Sequence, residues 1–146
     1  MSGILVGVDG SGHSQRALEW AAQEAVLRQV PLTVLTVHQA VVGWAGGPVT
    51  FPGDQDETKR ARELALAATE KALGQLGGPR PSVVTVRAVN GLPPEELLSA
   101  AADADLLVLG SRGAGGFSRL LMGSVSTQVT HHARCPVVLI PADEHH

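Results

Sequence analysis

Apolar residues along this chain gather into short runs, and the stretches between the runs carry helical spacing. Ile4-Leu5-Val6-Gly7-Val8 is a continuous apolar run closed by Asp9, the pattern of a strand buried on both faces. Gly10 to Ser14 makes the next turn, with Ser11 and Ser14 as candidate helix caps. Leu18, Ala21, Ala22 and Ala25 then recur on one helical face, and Trp20 falls on roughly the opposite side, placed to pack on a partner or a neighbouring loop. Pro31 ends that helix, and Leu32 to Val37 reads as a second strand. A second helix spans about Asp56 to Leu76, with Ala61, Leu64, Ala65, Ala68 and Ala72 on one face. Gly77 to Pro81 breaks the chain before a third strand, Val83 to Val89. Pro93 suits the first turn of a third helix, where Glu95 and Glu96 lie near the positive end of the dipole, and that helix ends near Asp103. Leu106 to Leu109 is the fourth strand, Ser124 to about Ala133 the last helix, and Val137 to Ile140 the fifth strand. Strands alternating with helices in this way predict a doubly wound α/β domain, a five-stranded parallel sheet with helices on both faces. Without repeats or composition shifts, residues 1–146 read as one domain.

Two stretches break the alternation. Residues 39–55 hold Gly43, Gly46, Gly47, Pro48, Pro52 and Gly53 with Trp44 and Phe51 among them, and read as the longest irregular segment. The other begins at Gly110 and carries Gly113, Gly115 and Gly116 before Gly123-Ser124 opens the last helix. Glycines let backbone N–H groups approach a ligand with no Cβ in the way. The following helix adds unpaired N–H groups and the positive end of its dipole. Ser124 and Ser126 offer hydroxyl donors, so this stretch suits phosphate.

The spacing Gly110-x-x-Gly113, nine residues, then Gly123-Ser124 resembles the ATP-binding signature of the universal stress protein family. Its flanks agree, VLGSRG before and GSVSTQVTHHARCPVVLIP after, and ILVGVDGSGHSQRALEWAAQEA is similar to that family's first strand and helix. The resemblance spans about residues 3–141 and implies strand order 3-2-1-4-5, the fold of adenine nucleotide alpha-hydrolase-like proteins. That order places a switch point between the first and fourth strands, and ligands in such sheets sit at the strands' carboxyl ends there. It implies Asp9 against the ribose or a phosphate-bound metal, backbone groups near Val37 reading adenine, and phosphate contacts at Gly110, Gly113, Gly123, Ser124, Val125 and Ser126. Arg112 is a candidate to neutralise phosphate charge. The ligand so implied is ATP with Mg²⁺.

Composition narrows the alternatives. A net charge of −3 and only two Trp and two Phe, with no basic tract, argue against nucleic acid. No apolar run approaches the ~20 residues of a membrane span, and Met1-Ser2-Gly3 leads straight into a strand without a signal peptide's pattern. Cys135 is the sole cysteine and allows no intrachain disulfide, which fits a reducing cytoplasm. A Walker A loop requires Gly-Lys, absent from this chain, and a dinucleotide fingerprint beginning at Gly10-x-Gly12 meets Gln15 where its third glycine belongs. His38 and Gln39, not an acid, close the second strand. His131 and His132 suit the negative end of the last helix, and His13 lies near Asp9. No nucleophile–base pair or paired carboxylates stand out.

The reading is an ATP-binding regulatory switch of the stress response, with a slow ATPase or nucleotidyl-transfer enzyme on the same site as the alternative and an empty structural dimer as a third. Val137, Val138, Leu139 and Ile140 would leave an apolar sheet edge bare, which predicts a homodimer pairing these edges unless Pro136 and Pro141 blunt it. An unidentified protein partner would meet the 39–55 stretch.

Overall fold

The computed structural model describes residues 2–39, 41–42, 48–49, 53–111 and 123–141. In chain order the elements are β1 (Ile4–Val8), α1 (Gly12–Arg28), β2 (Leu32–Gln39), β3 (Val41–Val42), β4 (Pro48–Val49) and α2 (Asp54–Gly74), followed by β5 (Val84–Gly91), α3 (Pro93–Ala101), β6 (Leu106–Gly110), α4 (Ser124–His132) and β7 (Val137–Ile140). The main sheet is parallel, in order β5-β2-β1-β6-β7. Counting its five strands along the chain gives the expected order 3-2-1-4-5.

Burial explains the runs of apolar residues. Every residue of the central β1 is buried, because helices cover both faces. On one face, Ile4, Val6 and Val8 of β1 and Val34 of β2 pack with Ala17, Leu18, Ala21, Ala22 and Ala25 of α1 and Ala65, Ala72 and Leu73 of α2. On the other, Leu5, Leu35, Leu107 and Leu109 meet Leu97 and Ala101 of α3 and Val129 of α4. Alternate β-strand side chains point to opposite faces, so odd and even positions feed two separate cores. Gly7 is buried between them on the α3 side, where an added Cβ would lie 2.8 Å from both Leu97 Cδ2 and Leu109 Cδ2. The absent side chain lets α3 and β6 close over β1.

Helix ends follow local chemistry. Ser11 caps α1, its hydroxyl accepting the Ser14 N–H at 3.2 Å. The helix stops at Gln29, which adopts φ 58°. Its N–H donates to Val26 O at 3.2 Å, and Val30 N–H reaches Ala25 O at 3.1 Å, the paired bonds of a left-handed C-terminal cap. The helix is therefore finished by Gln29, before Pro31 is reached.

Three expectations shift. Trp20 packs against the first core instead of facing a partner; it sits on the flank of the α1 face, and its ring is long enough to reach inward. The buried face of α2 is Ala65, Thr69, Ala72 and Leu73, while Leu64 is 63% exposed, so the helix is turned about its axis from the expected face. Within the 39–55 stretch, β3 and β4 pair antiparallel, Val41 opposite Val49 and Val42 opposite Pro48, adding a two-stranded ladder where only irregular chain was expected.

Candidate functional site at the carboxyl ends of β1 and β6

β1 and β6 are parallel neighbours in the register Ile4↔Leu106, Leu5↔Leu107 and Val6↔Val108, so both end at one level of the sheet. The connection from β1 leads to α1 on one face, and that from β6 leads towards α4 on the other. Between two connections that diverge in this way a parallel sheet opens a crevice.

The β1 side is a wound turn. Asp9 is exposed, and its Oδ1 accepts the Ser11 N–H at 2.9 Å. Asp9 N–H donates to Ser14 Oγ at 3.3 Å, while that hydroxyl donates to Ser11 O at 3.0 Å. Gly10 between them has φ +85°, a left-handed conformation that favours glycine. The carboxylate is thus held at the strand end by backbone geometry as well as by its own chain direction.

The β6 side is a clamp. Ser111 N–H donates to Ile140 O at 2.9 Å, and Ser111 O accepts the Gly123 N–H at 2.7 Å. Ser126 Oγ donates to Ser111 O at 3.1 Å and lies 3.0 Å from Gly123 O. The chain therefore leaves the sheet at Ser111 and returns to the same point at Gly123. Ser126 is buried, so its hydroxyl is committed to this joint and differs from the expected phosphate donor; only its main-chain N–H remains suited to that role. Val125 is half-buried against the second core, which likewise confines it to a backbone contribution. Ser124 is exposed at the first position of α4. Gly110 ends β6 and pairs with Ile140 of β7. Arg112 and Gly113 lie outside the described residues.

Electrostatics single out one place on this rim. Each of the four described helices lies on the connection between two successive strands of the parallel main sheet, so its N-terminus is at the strands' carboxyl ends. α2 carries Asp54, Asp56 and Glu57 in its first turn, and α3 carries Glu95 and Glu96. α1 and α4 carry no acidic residue there. The positive ends of α2 and α3 are thus already offset by their own carboxylates. Among the described residues α4, entered through Gly123, also has no side-chain cap, and first-turn N–H groups of that kind suit an outside acceptor. The two helices at the β1–β6 crevice are the two without acid, an arrangement that suits an anion.

The third wall is β2. Its ladder with β1 stops at Val8↔Thr36, whereas its ladder with β5 runs on to Gln39↔Gly91. Val37, His38 and Gln39 therefore overhang β1 on the rim, two residues beyond the expected strand end. Val37 packs its side chain on the second core, and its backbone lies where β1 no longer pairs. His38 Nε2 lies 3.2 Å from Asp54 Oδ1 of α2. Sequence reasoning missed this pair, and no local signal could have found it, because the partners are 16 positions apart.

Among the described residues no three His, Cys, Asp or Glu gather closely enough to hold a metal by themselves. A cation here would rest on Asp9 together with oxygens from a ligand and water, the habit of Mg²⁺. His131 and His132 fall in the last turn of α4, as expected. Cys135 is half-buried, and burial pushes its thiol above the usual thiol range, away from reactivity. Among the described residues no helix is long and apolar enough to cross a membrane.

Comparison with known proteins bears on the same features. The sequence profile of the universal stress protein family matches residues 1–141. A universal stress protein of Mycolicibacterium smegmatis is 34% identical over 146 residues, covering 97% of this chain and 49% of its own length. The chain spans about half the length of the curated relatives it matches. A universal stress protein solved in complex with cAMP superposes with TM-score 0.67 at 26% identity, covering 96% of each chain. The universal stress protein from Archaeoglobus fulgidus in complex with dAMP gives TM-score 0.63 at 28% identity, over 96% of this chain and 98% of that one.

Proposed function

The chain belongs to the universal stress protein family, and on that premise we propose that it binds ATP with Mg²⁺ at the β1–β6 crevice and acts as a nucleotide-dependent regulatory switch of the stress response. The observation that carries this reading is the acid-free N-terminus of α4, without a side-chain cap, following β6, the sheet neighbour of the strand that Asp9 closes. Two structural neighbours that hold cAMP and dAMP support an adenine nucleotide as the ligand class.

In this reading the first-turn N–H groups of Ser124, Val125 and Ser126 receive phosphate oxygens, with Gly110, Gly113 and Gly123 allowing the close backbone approach. Arg112 adds neutralising charge. Asp9 would hold Mg²⁺, which would supply positive charge to the phosphates. The overhanging backbone at Val37 meets adenine. We read occupancy, and not turnover, as the output. A ligand shifts such an equilibrium only by its differential affinity for the two states.

The readout we propose is a homodimer through the β7 edge, Val137 to Ile140, and a protein partner that reads the nucleotide state. β7 ends the sheet opposite β5, and Ile140 accepts the Ser111 N–H, which joins the edge to the root of the phosphate loop. Sedimentation at micromolar concentration tests the dimer, and a monomer with or without ATP would remove it. The nucleotide reading is tested by denaturing the purified protein and identifying what is released by chromatography and mass spectrometry. Intact ATP supports a switch. ADP or AMP alone would favour slow hydrolysis instead.

A further inference from the structure

The end of β2 is gripped from both faces. Val37 packs into the second core, and on the opposite face the His38 ring meets Asp54 at 3.2 Å, with side chains 27% and 15% exposed. Asp54 opens α2, and its carbonyl accepts the Thr58 hydroxyl at 2.8 Å, so the acid belongs to a fixed helical turn. The pair joins the end of β2 to the start of α2. At the phosphate side the corresponding joint, Ser111 O to Gly123 N–H, is made by backbone.

What this grip fixes is a row of main-chain groups. Beyond Val8↔Thr36 the β1-side edge of β2 has no β1 residue opposite it, and that edge faces the crevice that Asp9 borders. Phosphate oxygens accept hydrogen bonds and suit the N–H groups of a helix start. A nucleobase instead presents donors and acceptors side by side, and a strand edge presents carbonyls and N–H groups in fixed alternation. Discrimination between bases requires that such groups be held still, since a mismatched base is rejected only when a buried polar group is left unpaired.

We propose that His38 is a positioning residue which, through Asp54, fixes the β2 overhang as the base-reading edge and so sets the preference for adenine over guanine. The inference rests on the nucleotide reading above and goes further by assigning selectivity to a pair remote from the phosphates.

The test is the ratio of ATP to GTP affinity by calorimetric titration in Mg²⁺, because both ligands share the triphosphate and differ only in the base. Wild type prefers ATP. His38→Ala lowers that preference about tenfold, or about 1.4 kcal/mol of base discrimination. His38→Gln, whose amide N–H keeps a donor for Asp54, retains most of the preference. Should His38→Ala fail to fold, His38→Leu removes the donor while keeping bulk and carries the same expectation. An unchanged ratio in the donor-free variant overturns the proposal, as does an equal fall in His38→Gln. Equal binding of ATP and GTP by wild type overturns it while leaving a phosphate site standing. Binding of neither nucleotide by wild type removes the nucleotide reading, and this inference with it.

Discussion

Ser124→Asp places a carboxylate in the first turn of α4, giving it what α2 and α3 already have. Two effects of opposite sign follow. The new charge meets the positive end of the helix and stabilises the fold by about 0.3–1 kcal/mol. For a chain of this size that raises the melting midpoint by roughly 1–3 °C. Against a bound phosphate the same charge is repulsive. At roughly 5 Å, one pair of unit charges costs about 1 kcal/mol in water and about 3 kcal/mol at an effective dielectric of ~20. Ser124 is exposed, so solvent screening places the cost near the middle, about 2 kcal/mol or roughly thirtyfold in ATP affinity. Thermal unfolding and calorimetric titration measure the two quantities on one preparation. Gln55→Glu is the control, adding equal charge to the first turn of α2, which is already acidic. An ATP affinity for Ser124→Asp within about twofold of wild type would refute a phosphate at this helix start, as would an equal loss in Gln55→Glu.

Other substitutions probe the framework. Gly7→Ala pushes a methyl against Leu97 and Leu109, both nearly fully buried and unable to swing into solvent; it costs about 1–3 kcal/mol, and Leu97→Ala combined with it should show strong non-additivity in thermal unfolding. Gln29→Gly removes a non-glycine left-handed residue at the end of α1 and raises stability by up to about 1 kcal/mol, read from the denaturation midpoint. Asp9→Ala weakens ATP binding in Mg²⁺ by at least about tenfold, and losing its bond to the Ser11 N–H costs the fold about 1 kcal/mol; equal ATP affinity in the variant would remove Asp9 from the site.

Much of this architecture can be read from the chain where local signals and burial agree. Ile4–Val8 and Val137–Ile140 are strands with the limits their apolar runs suggest. Pro93 opens α3 because its ring angle suits a first helical turn. Agreement fails where several answers satisfy the same local pattern. α2 has alanines on neighbouring faces, so spacing alone cannot rank a face containing Leu64 above one containing Thr69 and Leu73; packing on β2 and β5 decides. The glycines and prolines of residues 43–53 conceal the short β3–β4 ladder, since pairing across so few residues leaves no periodicity to detect. At the candidate site, Asp9 follows β1, Gly110 closes β6 and Gly123 precedes α4, the chain positions that the alternation of strands and helices predicts. The inward turn of the Ser126 hydroxyl and the His38–Asp54 pair depend on tertiary placement, which spacing does not encode.

In the proposed function, the acid-free start of α4 and Asp9 together form a site for an adenine nucleotide. Titration of the wild-type protein with ATP in the presence of Mg²⁺ tests it most directly. Saturable binding at one ATP per chain is expected, weakened when Mg²⁺ is chelated. Absence of saturable binding, or binding that Ser124→Asp and Asp9→Ala leave unchanged, would contradict it.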